Sequence, residues 1–350
     1  RLGGRISSVS GQPVPPTPPD IDRFDLGPAW FWPGYQHQLD QLVLDLGLER
    51  FSQHETGATV VERSRDEPPL RVRGHASAPP SMRLQGGMGA LVDALQRRLD
   101  PARVVTGFHV RQLRIDGTDV AVTGTDTSGG TAVWRARHVL LAVPPRLAAQ
   151  AIGFEPALPP DSTRRWLATP TWMAPHAKYV AVYGTPFWRE EGLSGAARSA
   201  VGPMVELHDA CMPGGSAALF GFLGVPAHVR QRAGDEALRA ACRSQLVRLF
   251  GARAAHPEAE LLKDWAQDPL TATPADLDDP GHPEGGLPPA VFEGPWQSRV
   301  TGIASEWAPQ FAGYVAGAIE AAEAGVALQD LPLEAQDAYW NRAKAEEKGA

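Results

Sequence analysis

The chain has 350 residues, 43% of them hydrophobic, and its 33 Lys and Arg against 40 Asp and Glu give a formal net charge of −7. That length suits one large α/β domain or two domains with a substantial buried core, and the apolar content excludes wholesale disorder. The acidic balance argues against a nucleic-acid binder, and no run approaches the about 18 uninterrupted apolar residues of a membrane span. Two cysteines, Cys211 and Cys242, cannot form a disulfide framework or a Cys-x-x-Cys site. The ten histidines lack HxH and HExxH spacing, so no metal site is expected.

The chain opens on "RLGGR", residues 1–5. This suits either a surface turn or a backbone passing close to an anion, with guanidinium groups beside it. Residues 12–22, "QPVPPTPPDID", form a proline-rich connector that must stay extended. "FDLGPAWFWPGYQ" then leads into an amphipathic helix with Leu39, Leu42, Val43 and Leu46 on one face. After a polar, proline-broken stretch, "RLQGGMGALVDALQRRL" predicts a glycine turn feeding a helix, with Leu91, Ala94, Leu95 and Leu99 inward.

From Val104 to Val143 short apolar runs alternate with Asp-Gly and Gly-Gly turns, predicting four strands. The last, Val139–Val143, is continuously apolar and predicts a buried strand that leaves its sheet at a double proline. "HAKYVAVYG" and "AALFGFLGV" predict further strands. Ala237–Phe250 predicts a helix in which Leu238, Cys242, Leu246 and Leu249 recur at helical spacing, so Cys242 is expected in the core. Glu206 and His208 in "MVELHDA" share a strand face, either solvated or at a pocket entrance where they could pair with a cationic substrate.

Residues 268–295 are rich in Pro, Gly and Asp and predict a long ordered loop. "ASEWAPQFAGYVAGAIEAAEAGVAL" predicts a loop and then a helix, with Gly313 and Gly317 on one face at its start. The glycine pair serves either a close helix–strand contact or an anion at the helix N-terminus, with Tyr314 beside it. The stretch from Gln329 is polar and expected to be peripheral, and no internal repeat is visible.

Seven of these segments, in this order, resemble the flavin-containing amine oxidases, the monoamine and polyamine oxidases. "RLGGR" is similar to the family's Arg-x-Gly-Gly-Arg segment beside the FAD pyrophosphate, which implies Arg1, Gly3, Gly4 and Arg5 as cofactor-binding residues. "DLGPAWFWPGYQHQLDQLVLDLGLERF" resembles the strand–turn–helix that follows, with Gly27 near the flavin. "FHVRQL" implies a backbone contact from Val110 to the adenine, and "VLLAVPP" places Pro144 close to the cofactor. "HAKYVAVYGTPFWRE" resembles the segment whose lysine holds a water at flavin N5; that lysine maps to Lys178, with Phe187, Trp188 and Arg189 as the downstream anchor. "LLKDWAQDP" implies Trp265 packed near the flavin. "ASEWAPQFAGYVAGAIEAAE" resembles the C-terminal FAD motif, with Ser305, Glu306, Gly313, Tyr314 and Val315 at family positions.

The resemblance implies an α/β fold of the amine oxidase type. A discontinuous Rossmann-like FAD domain is expected from residues 1–51, 87–160 and 266–328. A mixed-sheet α+β substrate domain is expected from 52–86 and 161–265, with 329–350 a peripheral tail. It implies oxidation of an amine by hydride-equivalent transfer to flavin N5, reoxidation by O2, and Lys178 as the catalytic residue. Phe220, Phe222 and Tyr314 are the implied substrate contacts, although Phe220 and Phe222 also read as ordinary sheet core. Members of the family begin with a GxGxxG βα unit that this sequence lacks, so it reads as an N-terminally truncated copy. "TATPADL" offers no second cage aromatic, and no cysteine lies near Trp265, so the FAD is expected to be non-covalent. Small-molecule amines are the expected partners, with a homodimer as the assembly considered and the cytoplasm as the expected location. Two other readings stand beside this one: a C–C dehydrogenating flavoenzyme, and an FAD-less scaffold.

Overall fold

The runs around Lys178 and Phe220 form the middle of the largest sheet in the computed structural model, which describes residues 2–11, 21–74, 76–277 and 294–325. By packing, these residues separate into two compact units, one from 2–108 and 170–277 and one from 109–169 and 294–325. This division differs from the cofactor and substrate division expected above, because residues 2–11, 21–51 and 87–108 pack in the same unit as 170–277.

The first unit is built on a seven-stranded sheet. Its spatial order is Ala259–Asp264, Ala177–Tyr183, Ala217–Leu223, Met204–Asp209, Leu193–Ser199, Ala58–Glu62 and Leu70–Val72. Leu193–Ser199 and Ala58–Glu62 run parallel, and the other neighbours are antiparallel. Ala177–Tyr183 is buried at every position, because it is paired on both edges and covered on both faces.

On one face, the helix Asp235–Phe250 packs Leu238, Cys242, Leu246 and Leu249 against Tyr179, Trp188, Leu207 and Leu219. Cys242 is fully buried, as its helical spacing predicts. On the other face, Val180, Val182, Ala218 and Phe220 pack with Phe24 and Leu26. Register places Lys178 opposite Phe222, Phe222 opposite Glu206, and Phe220 opposite His208. Directly opposed side chains share a face, so all five line this second face of the sheet.

Two helices of the unit follow their patterns in part. His37–Asp45 buries Leu39 and Val43 and half-buries Leu42, with Leu46 half-buried at its end. Gly89–Arg97 buries Leu91 and Ala94, but Leu95 and Leu99 are exposed. The inward stripe is narrower than expected, and the helix ends before Leu99.

The second unit carries a four-stranded sheet in the order Gly153–Glu155, Phe108–Asp116, Asp119–Asp126, Thr131–Ala136. Val139–Leu141 pairs in parallel with Val300–Gly302. The buried strand expected at 139–143 is therefore only three residues long, and Leu140 is half-exposed beside buried Leu141. Pro144 and Pro145 open the helix Pro145–Ala151, where a missing N–H leaves no intrahelical bond unmade. Leu113, Val120, Trp166, Trp296 and Trp307 form the core of this unit. The expected loop at 268–295 is described to Leu277, and residues 278–293, the tail from 329 and most of the proline-rich connector lie outside the described residues. No described helix is long and apolar enough to cross a membrane.

Candidate functional site

The strand Ser8–Ser10 pairs antiparallel with Arg23–Asp25, and the Leu26 N–H donates to the Ser7 carbonyl at 2.8 Å. At the next residue a Cβ would lie 2.2 Å from the Arg5 carbonyl oxygen, so only glycine lets these segments meet at Gly27. Lys178, 2% exposed, reaches this turn from the sheet. Its Nζ donates to the Asp25 carbonyl at 3.0 Å and to the Gly27 carbonyl at 2.7 Å. The carbonyl between them, of Leu26, accepts the Trp265 indole N–H at 2.9 Å. Three consecutive carbonyls are thus held by two side chains from different strand ends. Burial lowers the Lys178 pKa from 10.5 to about 8; the Asp25 carboxylate opposes the fall and Arg83 adds to it.

The side chain of Asp25 is also engaged. Its Oδ1 accepts the Met88 N–H at 2.8 Å and the Ser8 hydroxyl, and the Ser8 oxygen accepts the Gly89 N–H at 2.7 Å. Ser8 and Asp25 thereby satisfy donors at the start of Gly89–Arg97 that helix geometry leaves without intrahelical partners. A Cβ on Gly87 would stand 2.7 Å from Asp25 Oδ1, so this approach also requires a glycine. Burial raises the Asp25 pKa, against the pull of Ser8, Lys178 and Arg83. Arg83 is itself buried, donating to the carbonyls of Cys211 and Ala210, both at 3.1 Å.

An aromatic group stands beside the lysine. The Lys178 ammonium lies 4.6 Å from the Phe220 ring centroid and 5.2 Å from that of Phe222. Trp30 packs on Phe220 at 5.3 Å and meets the His208 ring edge-on at 4.8 Å, with its indole N–H donated to Gln53. His208 stacks on Phe220 at 5.4 Å, and its Nε2 lies 2.7 Å from Glu206 Oε1. Glu206 also pairs with Arg198. The His208 hydrogen bond holds the Glu206 carboxyl below its ordinary value, and Arg198 adds to this.

Of the residues singled out in the sequence, Gly27, Lys178, Phe220, Phe222 and Trp265 therefore meet in the first unit. Gly3, Gly4 and Arg5 belong to the same unit, and Arg1 lies outside the described residues. Gly3 and Gly4 have φ of +88° and +53°. Apart from its chain neighbours, no described atom lies within 4 Å of a Cβ built on Gly4, so the space beside it is open.

Val110, Pro144, Ser305, Glu306, Gly313, Tyr314 and Val315 belong to the second unit. Ser305 and Glu306 are buried and Tyr314 is half-buried, with its hydroxyl pKa raised by burial. Gly313 and Tyr314 precede the last helix instead of lying in its first turn, since that helix starts at Val315. Gly313 takes φ +83° there, and a Cβ on Gly317 would come 2.0 Å from the Phe311 carbonyl oxygen. Within the first unit, an open glycine turn beside an arginine and a buried titratable lysine have the donor chemistry to hold an anionic dinucleotide cofactor.

Sequence reasoning passed over Asp25, Ser8, Trp30 and Arg83. A weak signal was present for two of them, because Asp25 and Trp30 flank Gly27 inside the segment that carries the resemblance.

Residues 68–327 match the model of a family described as flavin containing amine oxidoreductase. A Mycobacterium tuberculosis protein carrying the name flavin-containing monoamine oxidase AofH is 31% identical over 258 residues, 70% of this chain and 51% of its own length. A putrescine oxidase of Kocuria rosea is 31% identical over 209 residues, 54% of this chain and 41% of its own. The chain thus spans about half the length of the curated relatives it matches. Cyclohexylamine oxidase from Brevibacterium oxydans superposes with a TM-score of 0.72 at 18% identity, over 93% of this chain and 91% of that one. That likeness shows a shared mixed α/β fold. The chain belongs to the family of flavin-containing amine oxidoreductases.

Proposed function

We propose that this chain oxidises the C–N bond of a small amine with a non-covalently held FAD, and that Lys178 is its catalytic residue. The observation that carries this is the seat of Lys178: a buried, titratable ammonium fixed by two carbonyls and set against aromatic rings. When bound, FAD would accept the two electrons released as R–CH2–NH2 becomes R–CH=NH with loss of two protons, and O2 is the reoxidant inferred.

Two Nζ–H bonds point at carbonyls, so the third position on the nitrogen has a fixed direction. Near pH 8 it changes between an N–H donor and a lone pair. Lys178 can therefore hold a water, or take a proton from one, in the range where an amine must shed its own proton to react. Phe220, Phe222 and Trp30 give the carbon body of the amine an apolar, water-excluding face. Tyr314 is assigned as the further aromatic contact to substrate. Gly3, Gly4 and Arg5 would hold the pyrophosphate. Gly27 and Trp265, with Val110, Pro144, Ser305, Glu306, Gly313 and Val315, are assigned to the rest of the cofactor. In this reading the FAD division (1–51, 87–160, 266–328) and the substrate division (52–86, 161–265) are functional and cross the packing units.

The test is to incubate the purified 350-residue chain with FAD and pass it through gel filtration. Flavin absorption is expected to elute with the protein, to leave it on acid precipitation, and to bleach anaerobically with primary amines. A colourless protein overturns the reading for this chain.

A further inference from the structure

Among its 33 Lys and Arg residues the chain has four lysines: Lys178, Lys263, Lys344 and Lys348. A buried lysine in so arginine-rich a chain directs attention to what arginine cannot do, which is to release its proton near neutrality. The surroundings of Lys178 decide when it does so. From Ala259–Asp264, its register neighbour Lys263 is turned to Asp268 at 2.6 Å and to the Trp265 ring at 4.5 Å. From the other side come Phe220 and Phe222, and beyond them Glu206 and His208, bonded to each other. Arg83 lies on Met82–Leu84, and Asp25 ends Arg23–Asp25.

Ionised Asp25 supports the ammonium and Arg83 opposes it, while Lys178 and Arg83 in turn favour the ionised form of Asp25 against its burial. Asp25 also acts twice. Its main-chain carbonyl receives Nζ, while its Oδ1 is tied to Ser8 and Met88 and so anchors the turn that presents the carbonyls. Its Oδ2 is buried and has no hydrogen-bond partner among the described residues, and burial raises this carboxyl's pKa against the pull of Ser8, Lys178 and Arg83.

We propose that Asp25 is a positioning residue for Lys178, seating the lysine through its main-chain carbonyl and balancing the ammonium through its side-chain carboxylate. This rests on the assignment of Lys178 as the proton-handling group and adds what tunes it.

The experiment is an NMR titration of the full chain labelled with 13Cε-lysine, where four lysines give few signals and Lys178→Met assigns one of them. The parent signal is expected to turn over near pH 8. Asp25→Asn keeps an oxygen for the Met88 N–H but loses the charge. It is expected to lower the Lys178 midpoint by at least about one pH unit, the usual scale for a removed counter-charge. Asp25→Glu restores the charge and is expected to return the midpoint toward the parent value. It also serves if the Asn variant does not fold. Ser8→Ala loosens the anchor without touching the charge and is expected to leave the midpoint near the parent. An unshifted midpoint in Asp25→Asn overturns the proposal, as does an equal fall in Ser8→Ala or Asp25→Glu. The titration needs no flavin, so its failure is distinct from a failure of the cofactor reading, which a colourless protein reports.

Discussion

Lys178 and Arg135 are both cations in the body of a strand, and their surroundings are opposite. Lys178 is 2% exposed in Ala177–Tyr183, a strand paired on both edges with packed layers on both faces. Arg135 is mostly exposed on Thr131–Ala136, the edge of the four-stranded sheet, where it meets Asp116 at 2.9 Å in solvent. Both strands are rich in β-branched and aromatic residues, which measure fit to a pleated surface and not depth within the fold. At the edge, water solvates the charge whether or not Asp116 is there. In the middle of the larger sheet two main-chain carbonyls replace that water, the Asp25 carboxylate acts on the ammonium only through its field, and the lysine's proton affinity falls.

The sharpest way to break the comparison is to remove each cation. Lys178→Met is expected to lower kcat/KM for amine oxidation by about 100-fold or more, with far-ultraviolet circular dichroism unchanged, whereas Arg135→Met leaves activity at the parent level. Comparable losses in both variants would show that burial does not separate their roles. The packing that buries the lysine strand is tested next. Trp188 is fully enclosed and donates its indole N–H to Asp209 at 2.9 Å, so Trp188→Ala is expected to cost about 3–5 kcal/mol in urea denaturation.

The pH dependence of stability follows from the same burial. The folded-state pKa of Lys178, about 8, lies below its ordinary 10.5, so between these values the unfolded chain binds more protons than the folded one. Stability must then rise with pH across this window. The difference between the parent and Lys178→Met in urea isolates the contribution from that of the tyrosines, and it is expected to grow by about 3 kcal/mol at most from pH 8 to 10.5. A flat difference would place the lysine in a solvated site. The smallest effect belongs to the edge strand, where Val133 is 52% exposed and Val133→Thr is expected to change stability by less than about 0.5 kcal/mol.

Much of this arrangement was legible from local pattern. Leu238, Cys242, Leu246 and Leu249 share a helical face, and all four are buried. The strands at 177–183 and 217–223 lie where their apolar runs predict. The same logic failed at Leu95 and Leu99, since no packed layer covers them, and at 139–143, where the prolines end the strand early. Lys178 and Trp265 were reached through a resemblance between segments. That they clamp neighbouring carbonyls was not legible, because these contacts join residues 153 and 239 positions apart. Trp30, Asp25 and Arg83 carry no local mark of their partners.

By itself, the sequence determined the periodicities that choose helix or strand, the glycines where chains must approach closely, and the ordered segments of a flavin amine oxidoreductase. Tertiary structure alone decided which strand lies at the middle of the sheet, and therefore which cation loses its water. Propensity and spacing act over a few residues. Desolvation and charge balance depend on everything packed around a side chain, and at Lys178 that environment is assembled from strands far apart in the chain.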